Sequence, residues 1–136
     1  MNSDFCVAIH ALVYLDHMDC CLSSEKLADN ICTNPARIRK VLSPLKRHGF
    51  VTTREGIEGG YRFSGNAEKL TLSQVAEAME ISAVTVNWHS GSIDKECLIS
   101  SGMGGIMDEI VAKLNDACRN ELGQITIASI EKRILG

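Results

Sequence analysis

Apolar residues recur at helical spacing in several separate stretches of the chain and at strand-like spacing in one. Over residues 4–18, Phe5, Ala8, Ile9, Leu12 and Leu15 define one face of an amphipathic helix. Ser23 or Ser24 can cap a second helix whose buried side would be Leu27, Ala28 and Ile31. Cys32-Thr33 is a short turn, and Asn34-Pro35 is a capping residue followed by proline at the first helical position. The third helix presents Ile38, Val41, Leu42 and Leu45 and stops at Gly49, which suits the position after a C-terminal cap at His48. Pro44 lacks the N–H that would bond the Lys40 carbonyl and is expected to bend the last turn.

After Gly49 the period shortens. Phe50-Val51-Thr52-Thr53-Arg54 and Tyr61-Arg62-Phe63 flank the turn Glu55-Gly56-Ile57-Glu58-Gly59-Gly60, which predicts a hairpin. Thr71 or Ser73 begins a further helix with Leu72, Val75, Ala76 and Met79 inward, and residues 83–101 have no period and are read as a loop. Over residues 103–121, Met103, Met107, Ile110, Leu114 and Ala117 follow a 4-3-4-3 spacing, with Ile106, Val111 and Cys118 beside the seam. That stripe is wide for the end of a small domain, and its expected partner is a second copy of the chain. A short helix from Thr126 closes the sequence.

The fold class is therefore mainly α with a small β-hairpin: a winged helix-turn-helix plus a long dimerisation helix. The expected division is a DNA-binding domain over residues 1–82, a loop over 83–102, and the dimerisation and C-terminal helices over 103–136, against which the first helix can also pack. At 136 residues and 45% hydrophobic, the chain is one domain or a domain with a helical appendage. No apolar stretch approaches the roughly 20 residues of a membrane span, and no basic start leads into an apolar core, so a cytoplasmic location is expected.

Net charge is −3, but it is unevenly placed. Between Ser23 and Arg62 there are eight Lys and Arg against four acids, whereas the remainder holds six basic and thirteen acidic residues. This is a basic face on an acidic body, as expected for contact with double-stranded DNA. In a helix-turn-helix the second helix enters the major groove, and here its start carries Asn34, Arg37, Arg39 and Lys40. Arg37 is the expected guanine reader, with a cost of roughly 1–3 kcal/mol on replacement. Ser24 at the start of the second helix and Lys46, with Arg47 and His48, suit the backbone. Gly59 and Gly60 would let the wing approach a phosphate or minor groove closely, with Arg54 at its base.

Catalysis has no support: there is no P-loop, nucleophile elbow or H-E-x-x-H, and His10, His17, His48 and His89 lack ligand spacing. A different class of reading comes from Glu55, Glu58 and the overall acidity, which would suit a winged protein-interaction module without DNA binding.

Residues 27–80 resemble the Rrf2 family of bacterial winged-helix regulators. The segments in question are LADNI, NPARIRKVLSPLKRHGFV, the wing REGIEGGYRF, and LTLSQVAEAME. The likeness extends from residue 4 to about 80 and more weakly through the long helix, which in this family pairs two subunits. It implies a homodimeric transcription regulator, expected to be a repressor, on a pseudo-palindromic operator, read by the third helix and the wing in response to an inducer of unassigned chemistry. Two positions depart from the family: Glu55 stands where an arginine commonly precedes the first wing glycine, and Ile57 stands where proline is common.

Cluster-binding members carry three cysteines in the loop before the dimer helix; here residues 83–102, the sensor-type loop, contain Cys97 alone, with His89 eight residues earlier. Iron–sulfur clusters take four ligands, mostly thiolates, so no cofactor and no metal is expected, a cluster- or metal-dependent regulator using Cys97 and His89 being the alternative. Thiol oxidation is the remaining signal. Cys32, ahead of the third helix, is expected to feel its dipole; Cys20 and Cys21 are expected to be the most exposed, Cys97 is a further candidate, and Cys6 and Cys118 are read as fillers of core or interface.

Overall fold

Five of the six helices begin at a side-chain cap, and the sixth is also the one that buries nothing. The structure, a computed structural model, describes residues 1–136. Helix α1 (Ser3–Met18) is capped by Asn2, α2 (Ser24–Ile31) by Ser23, and α3 (Pro35–Arg47) by Asn34. Strands β1 (Val51–Arg54) and β2 (Gly60–Phe63) form the antiparallel wing, with Val51 opposite Phe63 and Arg54 opposite Gly60. Helix α4 (Leu72–Ala78) and the last helix, α6 (Ile127–Leu135), start with reciprocal capping boxes at Thr71–Gln74 and Thr126–Ser129. Between them runs α5 (Leu98–Leu122).

The predicted faces meet in one core. Phe5, Ala8, Leu12 and Leu15 of α1 pack with Leu27 and Ala28 of α2, with Ile38, Val41, Leu42 and Leu45 of α3, and with Leu72, Val75 and Ala76 of α4. Ile9, Ile31 and Met79 are only partly buried at its margin. Pro44 does not end α3, which continues to Arg47 before Gly49 takes a left-handed φ of 78°.

The end of the chain returns to this head. The Leu72 N–H donates to the Ile125 carbonyl (2.9 Å), the Ile127 N–H donates to the Leu70 carbonyl (3.0 Å), and Ile127 is fully buried. Helix α6 then lies along α1, leaving between them a largely apolar groove of about 500 Å³ lined by Phe5, Ile9, Val13, Ile130 and Ile134.

Two expectations change. Residues 98–102 are helical and not loop, so α5 starts five residues ahead of the apolar repeat. Ser100, Ser101, Gly102, Gly104 and Gly105 hide that first turn from a hydrophobic pattern, because glycine and serine leave no apolar face to read. Cys20 and Cys21 are half-buried, Cys20 packing on the core, whereas Cys6, read as a filler, is exposed at the groove between α1 and α6.

Candidate nucleic-acid interface

The buried face of α3 fixes which of its polar side chains look outward. With Ile38, Val41, Leu42 and Leu45 inside, Ala36, Lys40, Ser43 and Arg47 fall on the opposite side. Arg37 and Arg39 occupy the two flanks and are held by different neighbours. Arg37 Nε donates to Asp4 Oδ1 (3.0 Å) and Nη2 to Ser3 Oγ (2.6 Å), which ties α3 to the start of α1. Arg39 Nη1 donates to Ser24 Oγ (3.0 Å), which ties α3 to the start of α2. Lys40 is 77% exposed and its Nζ lies 3.7 Å from Asp4 Oδ2.

Asn34 is engaged as the N-cap, its Oδ1 accepting from the Arg37 N–H at 2.9 Å. The cap of α2 is Ser23; Ser24 is the next residue, and its hydroxyl serves Arg39 and donates to Glu25 at 3.2 Å. Lys46 is exposed and makes no ion pair, while Arg47 Nη1 donates to Ser43 Oγ (3.0 Å). Ala36 and Ser43 were not singled out from sequence, although continuing the i, i+4, i+7 phase opposite the apolar face would have found both.

The wing is anchored to the helical head through its root. Leu22 and Tyr61 exchange backbone hydrogen bonds, both 2.8 Å, so the chain between α1 and α2 acts as a third edge to the hairpin. Gly60 makes this possible: with φ of 141°, a Cβ there would lie 2.2 Å from the Leu22 carbonyl oxygen. A Cβ on Gly59 would lie 2.1 Å from the Arg54 carbonyl oxygen. Both glycines thus meet the protein's own backbone. Tyr61 is partly buried, which raises its phenol pKa against the opposing charge of Arg39. Arg54 is exposed, Arg62 pairs with Asp19 (3.0 Å), and the tip carries Glu55, Glu58 and a fully exposed Ile57.

Helix α5 contributes no buried residue. Met103, Met107, Ile110 and Leu114 are 37–47% exposed, and Ala117 and Ile106 are exposed beside them. The preceding loop is pinned onto this helix at two points. The Val84 N–H donates to Asn115 Oδ1 (2.9 Å) while Asn115 Nδ2 donates to the Val84 carbonyl (3.0 Å), and His89 Nε2 meets Asp108 Oδ1 at 2.6 Å.

The thiols differ in what surrounds them. Cys97 is the N-cap residue of α5, and the backbone N–H groups of Ser100 and Ile99 lower its pKa. Cys32 stands at the C-terminal cap of α2 with φ of 65°, its sulfur 3.8 Å from the Asp29 carbonyl. It therefore faces helix carbonyls and not the amide end of α3, contrary to the sequence expectation. A metal centre needs converging ligands, and no three His, Cys, Asp or Glu side chains gather in that way. His89, the nearest imidazole in the loop sequence, is engaged by Asp108.

Residues 1–133 match the family model Rrf2, described as an iron-dependent transcriptional regulator. The chain is 29% identical over 130 residues, 96% of both sequences, to the helix-turn-helix-type transcriptional regulator YwnA of Bacillus subtilis. Its structure resembles that of a transcriptional regulator from Lactobacillus plantarum, with a TM-score of 0.83, 26% identity, and coverage of 98% of this chain and 91% of the other. It has the same fold as CymR, the global cysteine regulator of B. subtilis, with a TM-score of 0.71, 19% identity, and coverage of 98% and 96%. With a family match over nearly the whole chain, on a capped third helix, a glycine-rooted wing and a long exposed helix, this chain belongs to the Rrf2 family of DNA-binding transcriptional regulators.

Proposed function

We propose that the protein acts in the cytoplasm as a homodimeric repressor that reads a pseudo-palindromic operator with α3 and the wing. The observation behind this reading is the outward row Ala36, Lys40, Ser43 and Arg47, flanked by Arg39 on the side of the wing. That row, polar except for Ala36, lies along one face of a helix, an element a major groove admits. Lys40 and Arg39 are the base-contact candidates. Asn34 and Ser24 position α3, Lys46 meets phosphate, and Arg54 is the wing's contact beside Gly59 and Gly60. Arg37 is assigned to holding α3 on α1, in place of the guanine contact its sequence position suggested. A dimer lying across a promoter blocks it by occupancy alone, which is the support for repression.

The second copy is proposed to cover the α5 stripe of Met103, Met107, Ile110, Leu114 and Ala117. The regulator is proposed to work without a resident cluster, since the loop offers Cys97 alone and His89 is already bonded. The signal then falls to a small ligand or to oxidation of a thiol. Cys97 is the strongest candidate, ahead of Cys32, Cys20 and Cys21: attack of its thiolate on hydrogen peroxide gives the sulfenic acid and releases hydroxide.

The test is selection of duplexes from a randomised pool with reduced, metal-free protein, followed by hydroxyl-radical footprinting. Two protected half-sites centred about one helical turn apart are expected. On the selected duplex, Lys40→Ala is expected to cost about 1–3 kcal/mol and to relax one base position, while Lys46→Ala weakens all sequences alike. Protection of a single half-site, or equal effects of the two variants on every sequence, overturns the reading.

A further inference from the structure

An acidic residue in the first turn of a helix is usually explained by the helix dipole. Asp4 has another engagement. Its two carboxylate oxygens face two different cations of α3, Oδ1 toward Arg37 Nε at 3.0 Å and Oδ2 toward Lys40 Nζ at 3.7 Å. Ser3 takes a second guanidinium N–H of Arg37. The Asp4 side chain is only 25% exposed and Arg37 only 32%, so water and salt screen this cluster less than they screen an open surface pair.

We infer that Asp4 is a specificity-determining residue of the DNA interface, holding Arg37 and Lys40 back from duplexes that α3 does not fit. The inference rests on α3 being the reading helix. Affinity for random DNA is set by how many phosphates the protein neutralises. With Asp4 in place, one carboxylate offsets two of the cations that would otherwise take part. The two partners are held unequally. Arg37 is forked between Asp4 and Ser3, whereas Lys40 is largely exposed at the longer distance and can leave Asp4 for a base edge or phosphate. A duplex that fits α3 supplies that replacement partner; a duplex that does not fit leaves the cluster closed. Asp4 thus lowers random affinity more than specific affinity.

The experiment compares the full-length wild type with Asp4→Asn and Asp4→Glu on a random-sequence duplex and on the duplex recovered by selection, with Kd followed against KCl. Asp4→Asn is expected to tighten random-duplex binding about tenfold at low salt and to steepen its salt dependence by about one phosphate or more. The selected duplex should gain less than threefold, so the ratio of the two affinities falls. Asp4→Glu, which keeps the charge, should restore the wild-type salt dependence. The same Asp4→Asn change in an Arg37→Ala/Lys40→Ala background should do nothing. Should Asp4→Asn fail to fold, Asp4→Ser removes the charge while keeping an acceptor for Arg37 and is expected to reproduce the effect.

A wild-type salt dependence in the uncharged variants overturns the inference. So does an equal loss on both duplexes, which would make Asp4 a prop for the fold, or a gain that persists without Arg37 and Lys40. If the wild type binds neither duplex, the reading of α3 fails, and this inference with it; the other outcomes leave that reading standing.

Discussion

The head formed by α1–α4 and the wing differs from α5 in where its apolar side chains end up. In the head, Leu12, Leu27, Ile38, Leu42 and Val75 are fully buried within one chain. In α5, 25 residues long, none is. The head also has its polar ends closed by Asn2, Ser23, Asn34 and Thr71, whereas the N-cap residue of α5, Cys97, makes no side-chain capping bond. One region is complete as a monomer. The other exposes a row of methionine, isoleucine and leucine of a kind that soluble proteins keep for partners.

The most direct way to break that contrast is to charge the row. Ile110→Glu is expected to convert a dimer to a monomer by sedimentation while far-ultraviolet circular dichroism keeps the helical signal. Operator affinity should fall by at least about a hundredfold, because two half-sites are then no longer linked. A variant that still sediments as a dimer would show that α5 pairs through another face or not at all.

Within the head, Gly60→Ala should have the next largest effect. Its Cβ would collide with the Leu22 carbonyl, which is backbone and cannot swing aside, and the φ of 141° disfavours any side chain. A loss above about 2 kcal/mol is expected in urea unfolding. Ile57→Ala, at the fully exposed wing tip, should stay within about 0.5 kcal/mol. Equal losses would mean that the tip is packed after all.

The smallest effect concerns whether α6 belongs to the head. Burial, then the hydrogen bond and charge of Glu131 on α6, push the Asp16 carboxyl up to about 6 from an ordinary 3.8; Asp19 adds to the rise, and His17, 3.3 Å from Glu131, opposes it. A carboxyl with a raised folded-state pKa favours the fold below its unfolded value and loses that contribution as pH climbs from about 4 to about 6. Asp16→Asn should flatten thermal stability across that window. At pH 7 it should raise stability by less than about 1 kcal/mol, since the site is partly open to solvent. An unchanged pH profile would separate α6 from α1 in solution.

What was legible in the sequence was local. Asn34-Pro35, Thr71 and Thr126 mark helix starts because a cap needs only one side chain and the next turn of backbone. The inward face of α3 follows from four apolar residues in phase. The pairing of Asp4 with Arg37 spans 33 positions, and no local pattern encodes it. Arg37 was therefore given the reader's role on charge and position along the helix, where its phase on the flank would have argued for a buttress. The backbone contacts of Gly59 and Gly60 were illegible for a related reason: glycine announces a close approach without saying to what. Cys32 failed at shorter range, since whether a residue ends one helix or precedes the next depends on a φ of 65° that composition does not reveal.

The two hydrogen bonds between Leu22 and Tyr61 make the wing interchangeable at one end only. Everything below Gly60 is welded to the turn that launches α2, so the angle between hairpin and α2 is inherited by any sequence that keeps this joint. Beyond Arg54 the tip projects into solvent, Ile57 fully exposed and Gly56 with no neighbour within reach of an added Cβ. Side-chain exchange at the tip can therefore proceed at Glu55, Ile57 and Glu58, with Gly56, Gly59 and Gly60 kept as glycine. Glu55 and Ile57, the two wing positions noted above as departures from the Rrf2 pattern, both lie in that segment.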